Sequence, residues 1–392
     1  MVAFDFLRYG YGLFFVALQS ALMLGFFLEW RRDRRAAKAA VAAGETGEPL
    51  SVSVIVPVRN EERRMSGLLK SLLEQDCPAQ IVFVDDGSED ESPAMLAEFA
   101  RLARERGVVD CKIITLRENP GPNRKQRALS AGVAEARGDF LLFTDGDCDV
   151  PPGWIRAMAG RMAGNPGKPV GALIGPVFKK KPGKGFFFLY QCYDHAIRYN
   201  YLAGSVGLGA AGGGFGNNMI VSRAALEAVG GYDAVPPSPT EDAALISLIR
   251  SRSGHRVRAA ALPDAAVETC AEETWRGFVG QTLRWNNGGL FSPDPGTRLG
   301  YNLLMLLITA GAIAFPLLPF FPGLWPLPAA SLIVMLGNTA AAFAFFRGKL
   351  PKGGFLNLGY LLTLLFAQPY FALMTIMGYC GVKARWKGSK VG

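Results

Sequence analysis

The placement of charge constrains this chain more than any other feature. No residue is charged between Arg8 and Glu29, between Arg298 and Arg347, or between Lys352 and Lys383. A helix that crosses a bilayer needs about 20 consecutive, mostly apolar residues, and each gap is long enough to hold one. With half of its 392 residues hydrophobic and only 19% charged, the chain is not expected to be a wholly soluble enzyme, a disordered chain or a secreted disulfide scaffold. Six scattered cysteines with no CxxC pair argue against a structural zinc site and fit a reducing compartment. Two histidines, His195 and His255, make a histidine-rich metal site or a Ser-His-Asp hydrolase improbable. A net charge of +9 raises the question of nucleic acid. Much of the excess, however, flanks the apolar gaps: Arg31, Arg32, Arg34, Arg35 and Lys38 after the first, and Lys383, Arg385, Lys387 and Lys390 after the last. The charge therefore reads as membrane-flanking, with no nucleic-acid partner.

The first apolar segment, about 9–28, runs into a basic stretch and not into a small-residue cleavage site, so it is expected to be an anchor. The positive-inside rule then puts residue 31 onward in the cytoplasm. The boundaries that follow are an N-terminal transmembrane helix over 1–30, a basic juxtamembrane linker over 31–50, a cytoplasmic α/β domain over 51–295 and a C-terminal membrane region over 296–392. Within the last, spans are expected at about 301–321 and 326–346, joined by a Pro-rich turn (316–328), with a third apolar stretch at about 354–381. One span is the preferred reading of that stretch, because two halves would each be too short to cross. A re-entrant hairpin near Gln368–Pro369 is the alternative that keeps both flanking basic segments inside.

Between the membrane segments, SVSVIVP (51–57), IVFVD (81–85), CKIITL (111–116) and FLLFT (140–144) are short apolar or β-branched runs, the mark of buried parallel strands. Helical-period stretches at about 61–75, 92–106 and 124–137 alternate with them, which implies βαβ units and a mostly parallel sheet. Further strands are expected near 170–178, 217–222 and 256–262, and helices near 223–229, 241–251 and 273–285.

The acids follow the strands. Asp85 and Asp86 end the second, in VFVDDGSEDES, and Asp145, Asp147 and Asp149 follow the fourth, in LLFTDGDCDVPP. Ligands of open parallel sheets bind beyond the carboxyl ends of the strands, so these loops should converge. Crowded carboxylates repel one another unless a cation joins them, and a hard divalent ion that also bridges substrate phosphates is the simplest cation. DGDCDV begins like an EF-hand loop, but Val150 and Arg156 stand where Gly and Glu are needed, so calcium signalling is rejected. GLGAAG (207–212) satisfies G-x-G-x-x-G, yet it lies late in a glycine tract (204–216) leading towards a strand. A flexible loop or close helix packing explains it better than a dinucleotide site. Thr240-Glu241-Asp242 opens a helical stretch with Thr240 placed as a cap, although acids favour a helix N-terminus in any case. Gln281-Thr282-Leu283-Arg284-Trp285 lies on a helix ahead of the membrane, where an interfacial Trp is ordinary.

Taken in order, PVRNEE with VDDGS, then TDGD, then TED, then QTLRW, over about 51–290, the chain resembles the membrane-bound family 2 glycosyltransferases. The resemblance implies a GT-A fold, a Rossmann-like, mostly parallel sheet, here flanked by transmembrane helices. It implies that Pro57, Arg59 and Glu61 contact the donor, that Asp85 and Asp86 bind its base, and that Asp145 and Asp147 hold a divalent metal, Mg2+ or Mn2+, on the diphosphate. Lys125 and Arg284 join the donor contacts. Asp242 becomes the general base, while Phe215, Gly216, Asn217, Glu241, Gln281 and Trp285 line the acceptor and donor site. Asp149 lies outside the DxD pair and is a spare.

The expected reaction is inverting transfer of a sugar, from a nucleotide-sugar donor of UDP type, to a hydroxyl of a lipid or membrane-associated acceptor. The expected location is the inner membrane, multi-pass, with the catalytic domain facing the cytoplasm. A small processive polysaccharide synthase shares TED and QxxRW, but the compact membrane region favours a lipid. A non-catalytic nucleotide-sugar-binding membrane protein is a second alternative, disfavoured by the TED acid. A nicotinamide enzyme is disfavoured by PVRNEE.

Overall fold

The computed structural model describes residues 2–44, 50–107, 109–117, 123–163, 168–180, 183–346, 349–350, 358–382, 384–386 and 389–391. In chain order they form α1 (Val2–Gly44), β1 (Val52–Val58), α2 (Ser66–Leu73), β2 (Ala79–Asp85), α3 (Ser92–Arg106), β3 (Val109–Thr115), α4 (Arg124–Glu135), β4 (Phe140–Phe143), β5 (Cys148–Asp149) and α5 (Trp154–Ala163). Then come β6 (Val170–Ile174), β7 (Val177–Lys179), α6 (Gly185–Gly207), β8 (Met219–Ser222), α7 (Arg223–Ala228), α8 (Glu241–Arg252), β9 (Arg256–Ala259) and β10 (Val267–Thr269). The chain continues through α9 (Trp275–Leu290), α10 (Pro295–Leu317), α11 (Pro326–Phe346), α12 (Leu358–Tyr379) and the short strands β11 (Ala384–Trp386) and β12 (Ser389–Val391). Two compact units result. One comprises residues 29–180 and 211–270, the other residues 1–28, 181–210 and 271–392.

The first unit is built on a seven-stranded sheet in the order β3-β2-β1-β4-β8-β6-β9. The four strands of the βαβ run, β1 to β4, are parallel neighbours, and β8 is antiparallel to both β4 and β6. Side chains alternate across the sheet. One face sends Val54, Val56, Ile81 and Phe83 against Leu68, Leu96, Phe99 and Met158 of α2, α3 and α5. The other sends Val82 and Val84 against Ala128 of α4. Gly132 lets α4 lie close, since a Cβ there would meet Ile55 Cγ2 at 2.6 Å. A mostly parallel α/β sheet was the expected class, and it is present, with helices on both faces and the antiparallel β8 making it mixed. The run expected as one strand at 170–178 is two, broken at Gly175-Pro176: β6 stays in the main sheet while β7 joins β10 and β5 in a small one.

Residues 31–44 are not a linker but continue α1. Ala, Arg and Lys there are good helix formers, and the turn from Glu29 is bound to its own unit. Glu29, fully buried, accepts from Arg258 Nε at 2.8 Å and from the Ala259 backbone N–H. Residues 45–49, the rest of the expected linker, lie outside the described residues.

In the second unit, α6 packs on α11 and α12, and α9 on α10 and α12. The core joins Phe15 of α1 to Tyr190, Tyr193, Phe278, Val334 and Tyr370. Gly25 of α1 meets Gly204 and Gly207 of α6, where added Cβ atoms would lie 1.9–2.5 Å from facing carbonyl oxygens. Close helix packing thus accounts for the start of the glycine tract, and GLGAAG neither follows a strand nor opens a helix. Among the described residues, four helices are long and apolar enough to cross a membrane: Arg8–Ala42, Pro295–Leu317, Pro322–Phe346 and Leu361–Tyr379. The last stretch is one continuous helix with Pro369 inside it, not a hairpin at Gln368–Pro369. Residues 347, 348 and 351–357, which include most of the RGKLPK segment, lie outside the described residues, as do 383, 387 and 388 of the basic tail.

Candidate active site

Because β1 lies between β2 and β4 and runs parallel to both, the segments after these three strands leave the same edge of the sheet. This is the switch point of an open α/β sheet, where a crevice forms between diverging connections. The loops after β1 and β2 are stapled together. Asn60, at φ +52°, donates its backbone N–H to Ser88 Oγ and accepts from Glu89 N through Oδ1 at 2.9 Å. Left-handed backbone is tolerated by Asn better than by most side chains. Glu61 N donates to Ser92 Oγ at 2.8 Å, and Glu62 N to Asp90 Oδ2 at 3.1 Å. The staple presents Arg59 and Glu61 beside the β2 acids.

Asp85 and Asp86 are nearly buried, at 2% and 3% exposure. Unpaired carboxylates at that burial are costly, and each has partners. Asp85 Oδ1 accepts from Ser88 N at 3.0 Å. Asp86 Oδ2 accepts from Arg124 Nε at 3.0 Å and lies 3.5 Å from an Arg59 guanidinium nitrogen. Pro57 lies within β1, paired with Val84. The DGD turn after β4 packs directly on the first loop: a Cβ on Gly146 would stand 3.1 Å from Glu61 Cγ.

Lys125 ties the expected motifs together. Its Nζ lies 2.7 Å from Asp145 Oδ1 and 3.7 Å from Glu241 Oε1. One side chain at the start of α4 therefore joins the acid after β4 to the acid that opens α8. Asp147 faces Arg64 at 3.8 Å. Next along, Asp242 Oδ2 accepts the backbone N–H of Gly216 at 2.7 Å and Oδ1 that of Ala243 at 2.8 Å. Gly214 and Gly216 approach Asp242 so closely that added Cβ atoms would sit 3.0–3.1 Å from its atoms. Of Phe215, Gly216 and Asn217, Gly216 is thus the one brought against the TED acid. Behind them, buried Tyr232 has its phenol pushed well above the ordinary value, by burial first and then by the carboxylates of Glu241, Asp242 and Asp145. It stays protonated beside the acids.

Two expectations change. Thr240 occupies the N-cap position of α8, but its side chain makes no capping bond; its hydroxyl lies instead beside Ser238 Oγ. The spare acid, Asp149, turns from the DxD pair to Lys180 Nζ at 2.8 Å. Arg64, Arg124 and Tyr232 were missed. Arg64 and Arg124 carried a readable signal, as basic residues adjoining PVRNEE and Lys125; Tyr232 carried none.

Gln281, Arg284 and Trp285 lie on α9, in the other unit. Gln281 Nε2 donates to Glu272 Oε1 at 3.2 Å, and Trp285 meets His195 edge-on with ring centroids 5.3 Å apart.

Residues 53–230 match the family model described as Glycosyl transferase family 2. The chain carries a family 2 glycosyltransferase domain. Among relatives, the undecaprenyl-phosphate 4-deoxy-4-formamido-L-arabinose transferase of Pseudomonas aeruginosa (strain LESB58) is 36% identical over 116 residues, 29% of this chain and 32% of that protein. The 4,4'-diaponeurosporenoate glycosyltransferase of Staphylococcus haemolyticus (strain JCSC1435) is 34% identical over 110 residues, 27% of this chain and 26% of that one. The matches thus span about a third and about a quarter of these relatives' lengths. Among solved structures, the mannosyltransferase PcManGT from Pyrobaculum calidifontis, in complex with GDP-Man and Mn2+, superposes over 96% of this chain and 100% of that chain, with a TM-score of 0.51 and 20% identity. That likeness speaks to fold alone, and the fold is GT-A. The family match ends before α8 and α9, so the TED and QxxRW segments lie outside it.

Whether these residues suit a divalent ion follows from their donor chemistry. Asp145 and Asp147 offer hard carboxylate oxygens on side chains 32% and 18% exposed. Among the described residues no group of three or more His, Cys, Asp or Glu forms a metal-holding cluster. Two acids suit an ion of the Mg2+ or Mn2+ kind, which is commonly bound by one or two carboxylates together with substrate phosphates.

Proposed function

We propose that this protein is a membrane-bound inverting glycosyltransferase, which moves a sugar from a nucleotide-sugar donor to a hydroxyl of a lipid or membrane-associated acceptor. The single observation that carries the reading is the Lys125 bridge between Asp145 and Glu241, with Asp242 next to it held by the Gly216 N–H. Acids from the DxD and TED segments share one cluster at the carboxyl edge of the sheet, with a basic side chain among them.

In this reading Asp85 and Asp86 recognise the nucleotide base, with Arg59 and Arg124 setting the orientation of Asp86. Lys125 attracts the diphosphate. A divalent ion held by Asp145 and Asp147 would supply neutralisation of the charge on the leaving diphosphate. Asp242 takes the proton of the attacking hydroxyl. The two N–H bonds to its carboxylate, from Gly216 and Ala243, fix the direction in which it faces. Attack comes from the side opposite the diphosphate, a single displacement that inverts the anomeric centre. Arg284 joins the donor contacts, while Gln281 and Trp285 serve the acceptor entrance. The lipid preference draws support from the four apolar helices and from relatives whose names specify undecaprenyl phosphate and 4,4'-diaponeurosporenoate. A UDP-sugar donor, an inner-membrane location and a cytoplasmic catalytic domain belong to the same proposal.

The test incubates the full-length protein in membranes with labelled nucleotide sugars and asks whether label enters organic-extractable lipid or insoluble polymer. Asp242→Asn should lower transfer about 10²–10⁴-fold, the usual contribution of a general base, with donor affinity nearly intact. If donor binding disappears with transfer, Asp242 is a donor ligand or a structural residue. Label found only in polymer would instead favour the synthase reading.

A further inference from the structure

α6 carries an ion pair in unfavourable surroundings. Asp194 is fully buried, and its Oδ2 accepts from Arg198 Nε at 2.8 Å, one helical turn away. Its other oxygen, Oδ1, is buried with no hydrogen-bond partner among the described residues. Pairs of this kind are often no more stable than apolar residues of the same volume. Ionisable groups packed among apolar helices are more often kept for function. Stability alone therefore gives no reason for the pair.

Its geometry does. The Arg198 guanidinium carbon lies 5.4 Å from the ring centroid of Trp285 and 5.0 Å from that of Phe371. Both distances fall within cation–π range. His195, the next residue after Asp194, reaches the same indole edge-on. Trp285 is only half-buried, so part of the ring remains available to a substrate.

We propose that Asp194 and Arg198 are positioning residues for Trp285: the carboxylate orients the guanidinium, and the guanidinium gives the indole one resting place. The pair then tunes capture of the acceptor and leaves the donor alone. This rests on the proposed function in assigning Trp285 to the acceptor entrance; the positioning itself does not.

The experiment uses the full chain in nanodiscs, labelled with 5-fluorotryptophan, with the Trp285 resonance assigned through Trp285→Phe. Two variants are compared with wild type: Asp194→Leu/Arg198→Met, which removes both charges together, and Arg198→Lys, which keeps charge but loses the planar fork. Both should move the Trp285 fluorine resonance. Both should also raise the concentration of membrane-lipid extract giving half-maximal label transfer, by about threefold to thirtyfold in the double variant, the range of one cation–π contact. Affinity for UDP-glucose or GDP-mannose should stay within about twofold. A folded double variant with an unmoved resonance overturns the proposal, and so does a parallel loss of donor affinity. Should the double variant not fold, Arg198→Lys decides by the same readouts. If wild type transfers no label from either donor, the functional reading fails, while the resonance still decides the positioning.

Discussion

Asp33, on α1, provides the sharpest test of how this molecule is held together. It is 2% exposed, and so is its partner Arg161, whose Nε donates to Asp33 Oδ1 at 2.7 Å. Asp33 Oδ2 also accepts the backbone N–H groups of Ala261 and Leu262, at 3.0 and 3.1 Å. Asp33→Ala would leave a buried guanidinium without its buried partner and strand two N–H donors. Breaking a buried pair by removing one side costs about 3–5 kcal/mol. Arg161 keeps Asp264, at 2.8 Å, and the Ala157 carbonyl, which favours the lower end, about 3 kcal/mol. In a unit of this size 1 kcal/mol moves the midpoint by about 2–4 °C, so the expected fall is about 6–12 °C. Asp264→Ala is the internal control. Its side chain is 54% exposed, so its loss should cost no more than about 1 kcal/mol. Asp33→Leu/Arg161→Met, which removes both charges at once, should recover most of the stability. Thermal unfolding of the detergent-solubilised full chain, followed by intrinsic fluorescence, measures all three. If Asp33→Ala shifts the midpoint no more than Asp264→Ala does, α1 is not anchored through this pair and the reasoning fails.

Two further predictions concern the same unit. Asn218 is fully buried, accepts from Trp154 Nε1 at 3.0 Å and donates to the carbonyls of Pro176 and Ala265, both at 2.8 Å. Asn218→Ala should cost about 3–5 kcal/mol, because each stranded buried group carries about 1–3 kcal/mol; a midpoint within about 2 °C of wild type would contradict this. The thiols of Cys77 and Cys111 are pushed up to about 11 by burial, with Asp76 adding to the effect at Cys77. Only the thiolate alkylates, so iodoacetamide labelling of both, read by peptide mass spectrometry, should stay slow at neutral pH and climb towards pH 11. Half-maximal rates near the free-thiol value of about 8.5 would refute the assignment.

Much of the molecule was legible because its signals are local. Buried parallel strands are apolar runs whatever else the chain does, and β1 to β4 lie within a residue or two of the runs at 51–57, 81–85, 111–116 and 140–144. Acids directly after such runs reach the carboxyl edge by topology alone, as Asp85, Asp86, Asp145 and Asp147 do. Helix α6 was not legible. Asp194, His195, Arg198 and Asn200 interrupt its apolar pattern, yet all except Arg198 are nearly buried in place, and nearby sequence cannot announce the partners that permit this. Residues 31–44 misread for a related reason. Their small and basic residues resemble a linker until Glu29 and Asp33 find their partners.

Sequence alone therefore determined where the apolar helices and the sheet would form, and which loops carry acids, since hydrophobic periodicity and strand–turn chemistry act over a few residues. Tertiary structure alone decided which cation meets which carboxylate. Lys125 lies between Asp145 and Glu241, Asp149 turns away to Lys180, and Asp33 is buried against Arg161, a residue 128 positions along the chain. The physical reason is that the energy of a charge depends on how far it is withdrawn from water and on what faces it there. Strand order and helix packing set both.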